Sequence, residues 1–159
     1  MFSAARSGAF LSRAATVTGI DYDPASLSPR ASITHERSVC VTLQSIGRRF
    51  VELCNQGKNF EVMRTMYAPD IVSVEADGKE TAGQAAVIQK SERWAAANEI
   101  HGETVRGPYF HGPDSFAVHI AFDVTRKDTG HRTTLEEVAV YTVRDGKIVR
   151  ERFFFEGPW

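Results

Sequence analysis

The stretch Glu136–Glu156, EEVAVYTVRDGKIVRERFFFE, decides the fold. Apolar and aromatic residues alternate with polar ones on both sides of Asp145-Gly146, a dipeptide suited to a two-residue hairpin turn. The segment reads as two antiparallel strands. Two acids complicate it. Glu137 and Glu151 share a parity with Tyr141, Val143, Phe153 and Phe155. Residues of one parity lie on one face of a strand. If that face is covered, two carboxyl groups are buried or line a cavity.

Upstream, the same period of two continues back to about His101. Strands are expected at His101–Phe110, Ser115–Arg126, Arg132–Arg144 and Lys147–Phe155, separated by Gly112-Pro113-Asp114, Asp128-Thr129-Gly130 and Asp145-Gly146. Before them the period is helical. Leu43, Ile46, Phe50 and Leu53 form one stripe, and Gly57 suits the end of that helix. Asn59 opens a short second helix carrying Phe60, Met63 and Tyr67, with Pro69 as its stop. Ile71–Ala76 is a short strand rich in β-branched residues. A third helix opens at Thr81-Ala82-Gly83-Gln84, which has capping-box spacing, and carries Val87, Ile88 and Trp94. Three helices followed by a meander make an α+β fold, with the helices packed on a curved, mainly antiparallel sheet. The sheet and helices enclose a cone whose open end is a natural ligand pocket.

Composition narrows the classes. The chain has 159 residues, which suits one folded domain, and a net charge of -1. No basic surface for nucleic acid or anionic lipid is implied, and no apolar run approaches the roughly 18 residues of a membrane span. Cys40 and Cys54 would sit about 21 Å apart along one helix, too far for a disulfide, as reduced thiols would in a reducing compartment. No metal-type cysteine spacing occurs, and no metal or organic cofactor is expected.

Residues 1–37 differ from the rest, forming an extension and linker ahead of a domain at 38–159. The first twenty contain Arg6 and Arg13, many Ser, Ala and Thr, and no acid. That composition fits a mitochondrial transit peptide and lacks the apolar centre of a secretory signal. A disordered tail or a start codon placed too early is the alternative. The expected location is intracellular: the cytoplasm, or the mitochondrial matrix if residues 1–20 are cleaved.

The order of elements resembles the nuclear transport factor 2-like superfamily, with its cystatin-like cone. Within it, the chain is similar to the SnoaL-like domains related to ketosteroid isomerases and polyketide cyclases. The carrying stretches are VELCNQGKNFEVMRTMYAPDIVSVEA and EEVAVYTVRDGKIVRERFFF, and the likeness covers about Val39 to Glu156. It implies a general base at Glu75. It places Phe50 where the isomerases have an oxyanion tyrosine and Ala139 where they have an oxyanion acid. Neither can donate a hydrogen bond, so steroid isomerisation itself is not expected.

Alternation alone leaves two registers open for the sheet, and polar-out is the default. The resemblance selects the polar-in register. Glu137, Ala139, Tyr141, Val143, Glu151, Phe153 and Phe155 then face the concave side, together with His119, Ala121 and Asp123. Phe116, Val118, Ile120, Phe122 and Val124 form an apolar row on the convex side, where the resemblance implies a homodimer.

The expected site follows from that register. Glu75 is the base, His119 the acid or proton shuttle, and Tyr141 a donor to a substrate oxygen. Trp94, Asp123, Glu137, Glu151, Phe50, Phe153 and Phe155 line the pocket, where crowded carboxyls should include one of raised pKa. Structural alternatives stand beside these roles: His119 as a core histidine, Glu151 paired with Arg150, Arg152 or Arg93, and Trp94 as core. The expected function is binding of a small, largely apolar molecule, with cofactor-independent isomerase, cyclase or hydratase chemistry. The alternative is a non-catalytic ligand-binding or dimeric assembly module.

Overall fold

The computed structural model describes residues 41–156; the amino-terminal extension, Cys40 and the last three residues lie outside the described residues. Helix α1 spans Leu43–Asn55, α2 Asn59–Thr65 and α3 Gln84–Ala97. Strands are β1 (Tyr67–Val74), β2 (Glu80–Ala82), β3 (Asn98–His111), β4 (Ser115–Arg126), β5 (Arg132–Arg144) and β6 (Lys147–Phe154). They form one six-stranded sheet in the order β2-β1-β6-β5-β4-β3. Only β1 and β6 run parallel. The expected α+β cone of three helices on a mainly antiparallel sheet is the observed one.

Local chemistry sets the helix ends. Thr42 and Ser45 form a reciprocal capping box at the start of α1. At its end, Gly57 takes φ 71°, while Lys58 N–H donates to Leu53 O and Gly57 N–H to Cys54 O. That pattern is the Schellman motif, and the absence of a Cβ at Gly57 permits it. The expected capping box of α3 is not used: Gly83 is its N-cap, and Glu80–Ala82 pairs with β1 instead. Tyr67, expected on α2, opens β1. The β5–β6 turn has positive φ at both Asp145 and Gly146, as a type I′ hairpin requires.

The predicted register of β5 and β6 holds, and that of β4 does not. Ile120 lies opposite Glu137, Val118 opposite Ala139, and Phe116 opposite Tyr141. Directly opposed residues share a face. Phe116, Val118, Ile120, Phe122 and Val124 therefore point inward with Glu137 and Tyr141, and the first three are buried core residues. His119, Ala121 and Asp123 are on the outer face. The cause is the β4–β5 connection, which pairs Thr125 with Arg132 and so sets even positions of β4 against odd positions of β5.

The core lies between α1 and the concave face. Phe50 packs on Tyr141 at 4.4 Å and on Phe116 at 5.6 Å between ring centroids. Each such aromatic pair contributes about 0.5–1.5 kcal/mol beyond the area it buries. Val62 of α2, Val87 of α3 and Ile71 and Ile148 of the sheet extend the core toward β1.

Candidate functional site

A cavity of about 250 Å³ opens between the three helices and the concave face of the sheet. Its wall is mostly aromatic and aliphatic. Phe50, Trp94, Phe153 and Phe155 line it, with Phe60, Met63, Ile120 and Phe122. Trp94 and Phe122 meet at 5.2 Å. The polar lining is small: Glu75, Lys90, Ser91, Glu103, Asn59, Glu137, Glu151, Tyr67 and Tyr141.

Glu75 follows the last residue of β1, so it leaves the sheet at the cavity edge. Lys90 of α3 reaches it: Nζ lies 2.5 Å from Glu75 Oε1 and 2.6 Å from Ser73 Oγ. The same ammonium sits 5.3 Å from the centroid of the Phe153 ring. Lys90 is therefore held between a carboxylate, a hydroxyl and a ring face. Glu75 Oε2 makes no hydrogen bond among the described residues.

Glu151 is fully buried on β6, between Tyr141 of β5 and Ser73 of β1. The Tyr67 hydroxyl donates to Glu151 Oε2, and Ser73 is a second hydrogen-bond partner. Burial pushes the Glu151 carboxyl up, and those two bonds oppose the push. The arginine partners considered from the sequence are not used; Arg150 turns outward to Glu80 at 2.8 Å. Tyr141 is buried beside Tyr67, and burial followed by the Glu151 charge raises both phenols.

Glu137 is only 9% exposed, and no hydrogen bond to its carboxyl occurs among the described residues. Burial pushes it up to about 8, and the neighbouring Glu151 and Glu75 add to the shift. At neutral pH it keeps its proton and can donate a hydrogen bond. Glu103 of β3 is pushed up to about 7 by burial, against a hydrogen bond from Asn59 Nδ2 at 2.5 Å.

Two expected site residues are not in the cavity. His119 is on the outer face, 3.9 Å from Glu136. Asp123 pairs with Arg132 at 2.6 Å on the same face, and that hydrogen bond holds its carboxyl below the usual range. Both follow from the β4 register. Sequence reasoning missed Lys90, Ser73, Tyr67 and Glu103. Lys90 had a signal: it is three residues after Val87 and four before Trp94, a lysine set into the helical stripe. Among the described residues, no group of three His, Cys, Asp or Glu side chains is arranged to hold a metal ion. No helix among them is long and apolar enough to cross a membrane.

Three helices on a curved, mainly antiparallel sheet make the nuclear transport factor 2-like, ketosteroid isomerase-like fold. The SnoaL-like domain profile matches residues 41–155, and the chain belongs to that family. Among solved structures, it is 44% identical to a Mesorhizobium loti protein provisionally described as a SnoaL-like polyketide cyclase and, alternatively, as a carbohydrate phosphatase. The match covers 72% of this chain and 99% of that one, with a TM-score of 0.69. A Xanthomonas campestris protein provisionally described as a polyketide cyclase is 18% identical over 71% of this chain and 89% of that one, with a TM-score of 0.56. A Catenulispora acidiphila protein of ketosteroid isomerase-like fold, solved with trimethylamine, is 19% identical over 72% and 87%, with a TM-score of 0.58. The last two likenesses concern the fold alone. A comparison with curated proteins finds no match.

Proposed function

We propose that the cavity binds a small, largely apolar carbonyl compound and moves a proton at the carbon beside the carbonyl, as a cofactor-independent isomerase, cyclase or hydratase. Glu75 is the base. Lys90 fixes one of its oxygens and leaves Oε2 for the substrate proton. Glu137 donates to the carbonyl oxygen, with Lys90 close enough to favour the enolate that forms. Glu75 then returns the proton to a different carbon or to a new bond partner.

One observation carries this reading. A carboxylate held in an ion pair and a carboxyl that keeps its proton face the same aromatic cavity. Such a pair divides the base and acid roles. Glu137 supplies the donor that Ala139 lacks, from two residues earlier on the same strand face. The likeness to the Mesorhizobium loti protein supports a carbonyl substrate of the polyketide kind.

The test is exchange of ligand protons in D₂O. Enolisable ketones that bind should exchange the protons beside their carbonyl, and Glu75→Gln should slow exchange by about 10²–10⁴-fold, the range of a general base. Binding without exchange in the unsubstituted protein would mark a ligand-binding module instead.

A specific observation also favours assembly through the outer sheet face, with residues other than those first expected. Val138 and Phe154 form a cross-strand pair there, 40% and 45% exposed, and Tyr109 is 59% exposed opposite Ala117. We propose that this apolar surface pairs two copies of the chain.

A further inference from the structure

The cavity has a second polar station, away from Glu75. Glu103 on β3 lies opposite Phe122 of β4, and Trp94 of α3 packs against that ring. Asn59 of α2 donates to Glu103 Oε2. Oε1 makes no hydrogen bond among the described residues. We infer that Glu103, beside Phe122 and the Trp94 ring packed on it, takes a protonated amine carried at the far end of the substrate. The inference rests on the proposed function only in taking the cavity as the ligand site.

Charge is the first argument. Among the described residues, the ionisable groups close enough to feel the Glu103 charge are Cys54 of α1 and Glu137 of β5, and neither is a cation. From α2 it receives the neutral Asn59 amide. Lys90 of α3 is the only Lys or Arg lining the cavity among the described residues, and Glu75 and Ser73 already engage it. A half-buried carboxyl with one neutral donor and no cation pushes up to about 7. A ligand ammonium supplies the partner that the protein withholds.

Surroundings are the second. Phe122 lies opposite Glu103 with Trp94 packed against its ring, and an ammonium beside a ring face is attracted by the ring quadrupole. Glu137, nine-tenths buried and without a hydrogen-bond partner, faces the same space and marks where the ligand oxygen sits. Strand spacing of about 4.8 Å and a rise of about 3.4 Å per residue set the Cα atoms of Glu103 and Glu137 roughly 12 Å apart. A small ring or short chain bridges that interval once both side chains reach inward. The substrate class is thus an apolar carbonyl compound with a distal amine.

Calorimetry with benzylamine and benzyl alcohol, a matched pair differing in charge, tests this on the full chain. Benzylamine should bind at least about tenfold tighter at neutral pH. Glu103→Gln, which keeps an oxygen for Asn59, should remove the preference, and Glu136→Gln, on the outer face beside His119, should leave it. Equal binding of the two probes, no benzylamine binding at millimolar concentration, or a preference that survives in Glu103→Gln would overturn the inference. None of these outcomes bears on proton exchange at Glu75, so the two readings fail separately.

Discussion

Lys90 Nζ lies 2.5 Å from Glu75 Oε1, and that contact joins the third helix to the end of the first strand across the cavity. In the proposed reaction it would fix a cation where an enolate forms and hold Glu75 in place as the base. Lys90→Met should lower the exchange rate by about 10–100-fold, through lost electrostatic stabilisation and lost positioning. Lys90→Arg should keep part of the activity. Exchange rates measured beside melting curves check this; a variant that melts early would report a structural role instead.

The pH dependence of stability tests the state of Glu137. Its carboxyl is pushed from the ordinary 4.5 up to about 8 in the folded chain. Between those values the unfolded chain has released the proton and the folded chain has kept it. The folded state binds more protons, so stability falls as pH rises through this window and levels off above about 8. The decrease is of the order of a few kcal/mol. Melting temperatures at pH 5.5 and 8 should differ more for the natural protein than for Glu137→Gln. Exchange activity should also fall above about pH 8, as the donor is lost.

Much of the fold was legible in Glu136–Glu156, because a turn with two positive-φ positions and strict alternation leave little freedom. The inward parity of Glu137, Tyr141, Glu151 and Phe153 was legible too. The register of β4 was not. Its two faces are a row of Phe, Val and Ile and a row with His119 and Asp123, and only the length of the Lys127–His131 connection decides between them. Polar-out, the default for a sheet with one wet face, was the right rule there. Lys90 and Ser73 were missed because their meaning is tertiary. A lysine in an apolar stripe signifies little until a carboxylate from another element is beside it.

The row Phe116–Tyr141–Glu151–Ser73 crosses four adjacent strands, and Tyr67 closes it from above. Glu151 tolerates full burial because two hydroxyls serve it. Tyr67→Phe removes one donor and should cost about 1–3 kcal/mol, the penalty of an under-satisfied buried polar group. Replacing the acid as well, in Tyr67→Phe with Glu151→Met, should recover much of that loss, since an apolar pair of similar volume leaves nothing unsatisfied. Urea unfolding of the natural protein and the two variants measures it. Equal losses in the single and double variants would show that the unserved carboxyl carries no burial penalty.

The inner and outer faces of the sheet make opposite predictions for one kind of substitution. Phe154 and Val138 are half-exposed neighbours on the outer face, whereas Phe116 is fully buried against Tyr141 and Phe50. Phe154→Asp places a charge in the proposed contact between copies but removes nothing from the core. It should give a folded monomer by scattering mass, with proton exchange retained. Phe116→Asp buries an unpaired charge among aromatic rings and should abolish cooperative unfolding rather than alter assembly. A natural protein that is already monomeric, or a Phe154→Asp variant with unchanged dimer mass, would remove the outer face as the assembly surface. Either outcome leaves the placement of Phe116 and the cavity untouched, because register and assembly rest on different residues.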